Sequence, residues 1–262
     1  MCRVLGKGTC FDDVEQLSKM SKSMAQATFH KFRRHFAAEM FDEHIYLPTG
    51  TYLDEVMGIF HQLGCTGACG STDVTHIGWN MCPFTLGRPF TGKEGFPTIA
   101  YEVTVDHAGR TLAVANGFTG ATNDKTTIRY DSGVNNIRTE YKLRQGERHR
   151  ANAPRMVIDG GQRVPRGCGV LLGILKGRFR ILKLRMPYHK REYIDNIFFT
   201  CCILHNMLHT FDGLDVFEEN TDWPGSAGHL DAREHALAHG LHFCWVEGSA
   251  AATEGGGEGR VW

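Results

Sequence analysis

The 262-residue chain is predicted to fold as an α/β protein, in which a mixed sheet is flanked by helices and preceded by an N-terminal helical segment. Three observations predict this class. The first 64 residues carry apolar positions at helical spacing, β-prone runs lie between residues 70 and 158, and two longer apolar segments at helical spacing follow. A chain of this length with 42% apolar residues can bury a core of its own.

The N-terminal segment contains two predicted helices. Residues 12–46 carry one apolar stripe made by Phe29, Phe32, Phe36 and Met40. The stripe predicts an amphipathic helix that faces the core. The alternative for this segment is that Lys31, Arg33 and Arg34 contact DNA. A second helix is predicted from Tyr52 to Leu63, ended by Gly64.

Four strands are predicted in the middle of the chain. The first follows Gly70, and the second covers residues 98–105, where apolar and polar residues alternate loosely. A hairpin turn at residues 106–109 leads into a third strand over residues 111–118. A short fourth strand is predicted at residues 156–158.

Three further helices complete the pattern. A short helix is predicted from Lys125 to Tyr130, after a capping Asn123-Asp124 pair. Helices over residues 170–184 and 194–211 are separated by Pro187. This order fits a ribonuclease-H-like sheet, with three antiparallel strands and a fourth on the far side of the first. We therefore divide the chain into an N-terminal helical region (1–64), a ribonuclease-H-like domain (65–211) and an acidic, glycine-rich tail (212–262) that is predicted to be disordered.

Composition narrows the cellular setting. The start of the chain has no sustained apolar core of a secretory signal, and the most apolar stretch is too short to span a bilayer. Nine cysteines, an odd number, do not resemble a disulfide framework. We therefore expect a protein of the nucleus or cytoplasm that is neither secreted nor membrane-bound.

Three aspartates lie close to β-prone runs and to glycines: Asp73, Asp124 and Asp159. In the predicted sheet, Asp73 on the first strand and Asp159 at the end of the fourth are neighbours, and Asp124 lies just past the third. Carboxylates at the ends of neighbouring strands can converge on Mg²⁺ or Mn²⁺. Two such ions can clamp the attacking and leaving oxygens of a phosphodiester. The alternative is that each aspartate forms a turn or a cap.

The formal net charge of zero conceals a strong asymmetry. Residues 142–191 hold 14 Lys and Arg against two acids, and residues 212–262 hold ten acids against two arginines. The basic block surrounds Asp159, where a phosphate backbone would have to run, so it favours a nucleic-acid partner. The alternative is a solvated basic face. His205 and His209, spaced i and i+4, can bind a metal, although buried or capping histidines are typical of so apolar a helix.

Several motifs in the same order resemble a known family, the DDE-superfamily endonucleases of Harbinger-type transposons, in the branch called plant transposon proteins. They begin with Gly70-Ser71-Thr72-Asp73-Val74-Thr75-His76 and include Gly173-Ile174-Leu175-Lys176. The matching segments are residues 70–83, 90–99, 117–125, 173–183 and 194–207.

The resemblance implies a metal-dependent DNA endonuclease or transposase with a ribonuclease-H-like fold. Such enzymes cut DNA with water or a 3′ hydroxyl as the nucleophile. The residues that match the family's acids, and hence the implied catalytic metal ligands for Mg²⁺ or Mn²⁺, are Asp73, Asp124 and Asp159. The implied nucleic-acid-binding residues are Lys176, Arg178, Arg180, Lys183 and Arg185. Relatives of this kind often work with a separate DNA-binding protein, so a Myb-like helper and nuclear localisation are expected.

One position departs from the family pattern. The family carries a metal-binding Glu four residues before the glycine that is Gly173 here, and that position is Gly169. No acid occurs from residue 160 to residue 191, and Glu192 lies on the next helix. We expect the missing carboxylate to weaken one ion site and to slow cutting severely. The alternative function is therefore a decayed or domesticated relative that binds DNA or a partner without cutting.

Overall fold

The computed structural model describes residues 2–122, 155–158 and 168–211, in which helices flank a central sheet. The strands are β1 (Ala68–Gly78), β2 (Thr98–Val105), β3 (Thr111–Val114), β4 (Phe118–Thr119) and β5 (Arg155–Ile158). Their order is β3-β2-β1-β5, and β4 pairs with another part of β2. β1 is antiparallel to β2 and parallel to β5, and β2 is antiparallel to β3. The predicted mixed α/β class is confirmed, as is the placement of the fourth predicted strand beside the first.

The hairpin predicted at residues 106–109 joins β2 to β3. The Asp106 carboxylate accepts hydrogen bonds from the backbone N–H groups of Ala108 (2.9 Å) and Arg110 (2.8 Å), which closes the turn. Gly109 has a φ of 91°, in the left-handed region that favours glycine. A single strand over residues 111–118 is wrong, because the chain forms two short strands, β3 and β4. Each of them pairs with β2.

Four helices precede the sheet: α1 (Cys2–Lys7), α2 (Phe11–Ser18), α3 (Lys22–His44) and α4 (Gly50–Gln62). The helical run predicted over residues 12–46 is therefore interrupted. Lys19 adopts a left-handed conformation with a φ of 56°, and the Ser21 side chain then accepts a hydrogen bond from Met24 N to start α3. A serine cap and a left-handed residue together end one helix and begin the next.

The remaining helices are α5 (Phe84–Phe90), which lies between β1 and β2, and two helices that follow β5, α6 (Cys168–Arg178) and α7 (Arg191–Phe211). The helix predicted over residues 170–184 ends early, since Phe179 leaves helical geometry and is buried. A short 3-10 helix (Arg180–Lys183) follows it. The predicted helix at residues 125–130 and the predicted tail lie outside the described residues.

One hydrophobic core joins the sheet to the helices on both sides of it in sequence. Val4 and Phe29 from the N-terminal helices are in the same cluster as Ile77 of β1 and Leu175 of α6. Tyr101 of β2 is fully buried and stacks on Phe198 of α7, with ring centroids 4.2 Å apart. The N-terminal helices therefore pack on the sheet, and the division of the chain at residue 64 stays a prediction. Within the described ranges, none of the helices combines the length and apolarity needed to cross a membrane.

Arg33 of α3 is buried, with 1% of its surface exposed. Its guanidinium donates hydrogen bonds to the Tyr193 carbonyl (2.5 Å) and to His30 Nδ1 (3.1 Å), and it lies 4.4 Å from the Tyr193 ring centroid. Burial lowers the pKa of this guanidinium to about 10. The alternative of a DNA contact is therefore wrong for Arg33, which instead ties α3 to α7.

Candidate functional site

Asp73 lies on β1 at the point where the pairing with β5 ends. Asp73 pairs with Val103 of β2. The residue before it, Thr72, pairs with Ile158, the last residue of β5. The carboxylate is half-buried, and its Oδ1 accepts a hydrogen bond from Val74 N at 2.8 Å. Asp73 is thus on a central strand with its side chain partly accessible, which is what a metal ligand requires.

The other two predicted ligands are not described. Asp124 and Asp159 lie outside the described residues, so their roles stay predictions. The structure describes the chain just before each of them. Before Asp124, the Thr122 N–H donates to the Thr119 carbonyl (2.9 Å) and closes a turn. Before Asp159, Ile158 is the last residue of β5 and pairs with Thr72.

Gly169 lies in the first turn of α6, which packs against the face of the sheet that carries Asp73. The backbone N–H of the preceding residue, Cys168, donates to Ser71 Oγ at 3.2 Å, and its thiol donates to the Val103 carbonyl at 3.1 Å. Alternate residues of a strand share a face, so Ser71 and Asp73 point to the same side of β1. Gly169 is exposed in this turn, so the position where the family has its glutamate is beside the aspartate face but has no side chain.

A cleft of about 510 Å³ is lined by the β1 residues that follow Asp73, past the described part of the pairing with β5. The Lys176 ammonium donates to the His76 carbonyl at 3.3 Å, and Met186 N donates to the Gly78 carbonyl at 2.7 Å. In the described part of the chain the walls carry four cations and one acid, namely Lys93, Lys176, Lys183, Arg185 and Glu94. The cleft therefore has the charge needed to hold a phosphate backbone.

Lys176 is the most buried of the four cations that line this cleft, and its pKa is affected by Asp73. Burial lowers the pKa of its ammonium, while the carboxylates of Glu94 and Asp73 oppose that effect. The predicted metal ligand and the predicted phosphate-binding lysine are thus within electrostatic range of each other. A lysine ammonium forms charge-assisted hydrogen bonds with phosphate oxygens as well as with carboxylates.

The structure brings together three of the five predicted nucleic-acid-binding residues: Lys176, Lys183 and Arg185 line the cleft. Arg180 is exposed on the neighbouring 3-10 helix. The Arg178 guanidinium instead reaches α7, where it donates to His205 Nδ1 at 3.4 Å. Lys93, which the sequence-based set omitted, also lines the cleft. Its position within the matching segment at residues 90–99 was the signal that could have identified it.

Carboxylates suit a hard divalent cation, but Asp73 is the one predicted ligand that lies among the described residues. Among them, no group of three or more His, Cys, Asp or Glu side chains is arranged to hold a metal. His205 and His209 are buried, and their Nε2 atoms contact the backbone carbonyls of Gly109 (3.1 Å) and Ala108 (3.0 Å). These contacts match the expectation that the two histidines are structural. Asp124 and Asp159, the other two predicted ligands, lie outside the described residues, so the metal site stays a prediction.

Comparison with known proteins indicates a distant relationship to a plant protein. Over 244 aligned residues the chain is 25% identical to "Protein ALP1-like" from Arabidopsis thaliana, in an alignment that covers 79% of this chain and 58% of that protein. The chain thus spans a little more than half the length of this relative. No family model matches the chain, and no solved structure matches it. The chain is therefore distantly related to an ALP1-like protein.

Proposed function

We propose that the chain derives from a Harbinger-type transposase and is a metal-dependent DNA endonuclease with a ribonuclease-H-like domain. The observation that carries this proposal is the position of Asp73. It lies on the central strand β1, where the parallel strand β5 ends, on the face that packs against the first turn of α6. The distant similarity to an ALP1-like protein and the series of matching motifs support the same assignment.

In this proposal, Asp73, Asp124 and Asp159 hold Mg²⁺ or Mn²⁺. The bound ions would activate the attacking oxygen and stabilise the leaving oxygen of a phosphodiester. The carboxylates keep the ions in place, and Lys176 offsets phosphate charge beside Asp73.

DNA is the proposed partner. Lys176, Lys183 and Arg185 hold its phosphates in the cleft, with Arg180 at the exposed margin. Arg178 contributes less to DNA binding than these residues, because its guanidinium donates to His205. By resemblance, a Myb-like helper protein would supply sequence recognition, and the nucleus would be the site of action.

A second candidate function is DNA or partner binding without cutting, in a decayed or domesticated relative. Gly169 favours it. This residue is exposed in the turn of α6 whose Cys168 contacts Ser71 and Val103, so the turn packs beside Asp73 without offering a third carboxylate there. With two ligands for one of the ions, chemistry would be slow even though DNA still binds.

The first experiment compares the unmodified chain with Asp73→Ala in two assays, Mn²⁺ binding by calorimetry and Mg²⁺-dependent nicking of supercoiled plasmid. Asp54→Ala is the matched control, since Asp54 is an exposed aspartate on α4. We expect Asp73→Ala to lose ion binding and nicking, and Asp54→Ala to keep both. Equal and negligible nicking by the unmodified chain and by Asp73→Ala would refute the nuclease assignment and favour the second candidate.

The second experiment restores the missing acid with Gly169→Glu. Glutamate in the first turn of a helix is favourable, and Gly169 is exposed, so the variant should fold. If the ancestral site is otherwise intact, we expect the nicking rate to rise by at least tenfold, on the order of what one carboxylate contributes to an ion site. Gly169→Gln, which has the same shape without the charge, should not show this gain. A gain in both variants would mean that helix stability, not a metal ligand, is responsible.

A further inference from the structure

One wall of the cleft is a stack of three residues from distant parts of the chain. The Arg185 guanidinium lies 4.0 Å from the centroid of the Phe96 ring. Gly78 forms the floor beneath them: a Cβ there would lie 3.0 Å from Arg185 Cγ and 3.3 Å from Phe96 Cε2. Contacts that close are tighter than side chains normally tolerate, so the glycine allows the two side chains to meet over β1.

The stack leaves the guanidinium available to a ligand. Arg185 is exposed, and in the described ranges it forms no ion pair with a carboxylate. The central carbon of the guanidinium lies over the phenyl ring, and this contact positions the planar group in the cleft. A flat guanidinium is a stacking surface for a nucleobase, which a lysine ammonium is not.

Lysines flank this stacking surface. Lys93 and Lys183 are exposed at the rim of the cleft, and Lys176 lies deeper, bonded to the His76 carbonyl. The cleft volume of about 510 Å³ is in the range of sites for one small ligand, roughly 300–1,000 Å³. That volume fits a single nucleotide with its phosphates.

We propose that this cleft binds single-stranded DNA, with one unpaired base stacked on the Arg185–Phe96 pair and the adjoining phosphates held by Lys93 and Lys183. The proposal rests on the proposed function in one respect, that DNA is the ligand, and it adds the form of DNA. Bases inside a duplex are covered by their neighbours, so only an unpaired or extruded base can present its face to the guanidinium. The cleft would then select strand ends, gaps or melted segments.

The test measures the binding of a fluorescent 20-nucleotide single strand and of the matching duplex by anisotropy, using the full chain in EDTA without divalent cations. Arg185→Lys keeps the charge and removes the plane, and Phe96→Leu keeps apolar volume and removes the ring. We expect each to weaken single-strand binding by about tenfold, the size of one base-stacking contact, and to leave duplex binding unchanged. Lys183→Gln should weaken both ligands and lower the salt dependence by about one counterion.

Controls separate the stack from general charge and from folding. Lys19→Gln removes an exposed cation from the link between α2 and α3, outside the cleft lining, and should bind as the unmodified chain does. Gly78→Ala is a second probe of the stack: it should separate Arg185 from Phe96 and reproduce the loss seen for Arg185→Lys. Thermal melts verify that each variant is folded.

Two results would overturn the inference: unchanged single-strand affinity in folded Arg185→Lys and Phe96→Leu, or equal losses for single strand and duplex. The binding test is separate from that of the nuclease assignment, because it is run in EDTA, where no divalent ion supports cutting. If no variant cuts DNA but the stacking variants bind weakly, the binding site stands and the nuclease assignment fails. If the chain cuts DNA but the stacking variants bind normally, the reverse holds.

Discussion

Acid should destabilise this fold through His205, a buried histidine on α7. Only 2% of its surface is exposed. Its Nε2 lies 3.1 Å from the Gly109 carbonyl, so that nitrogen donates, and Nδ1 accepts from Arg178 Nη1 at 3.4 Å. A second proton on the ring would have to enter at Nδ1, against a guanidinium that is already donating to it. The neutral ring is therefore the form that fits.

The magnitude follows from the pKa. Burial, with further contributions from Arg178 and His209, lowers the pKa of His205 from 6.5 to about 4, while the Gly109 carbonyl opposes this effect. Because the unfolded chain takes up the proton first, stability is fully present above pH 6.5 and is lost as the pH falls towards 4. At ~1.36 kcal/mol for each tenfold change, the full loss is ~3 kcal/mol, and about 2 kcal/mol of it is reached near pH 4.5.

The assay is urea unfolding followed by circular dichroism at several values between about pH 7 and pH 4.5. Other groups also titrate in this range, so the quantity of interest is the difference between the unmodified chain and His205→Asn. We expect the variant to lose about 2 kcal/mol less stability over the interval. His35→Asn, at an exposed histidine of α3, should follow the unmodified chain. Identical pH dependence in His205→Asn and the unmodified chain would refute the reasoning.

Two further predictions concern packing, and both are measured by urea unfolding. Asn206 is fully buried. Its side chain accepts a hydrogen bond from Thr111 N (2.9 Å) and donates to the carbonyls of Thr111 and His44 (2.7 Å each). Asn206→Ala should therefore lower the free energy of unfolding by at least ~2 kcal/mol, because it leaves these backbone groups unpaired. A Cβ at Gly117 would overlap a β2 side chain, so Gly117→Ala should lower the free energy of unfolding by about 1–3 kcal/mol. Gly58 on α4 faces open space, so Gly58→Ala should raise it by roughly 0.5–1 kcal/mol. Equal effects of the two glycine changes would contradict the packing argument.

The order of elements was predictable because hydrophobic periodicity is local. The run at residues 98–105 is fully buried as β2, and the helix predicted from residue 194 is α7, which begins at Arg191. The Asp106 turn was also predictable, since a short acidic side chain and Gly109 suffice to close it. In each case the physical cause lies within a few residues of the effect.

Boundaries were less predictable because distant contacts decide them. Periodicity continues past Phe179, but the chain leaves α6 there, and the Phe179 ring is buried in the core that also contains Leu175 and Phe198. Arg33 shows the same limit on a helix surface. A DNA contact was the alternative prediction for this residue, and the aromatic residues of the 188–193 segment bury it instead.

By itself, the sequence determined the α/β class and the aspartate on β1, because both depend on local patterns or on motifs that can be recognised along the chain. Only the tertiary structure decided which cations act together. Lys93 and Phe96 come from a loop before β2, Lys176 from α6 and Arg185 from the segment after the 3-10 helix, and they meet over the part of β1 that follows Asp73. That convergence depends on packing among residues nearly one hundred positions apart, and no local pattern encodes it.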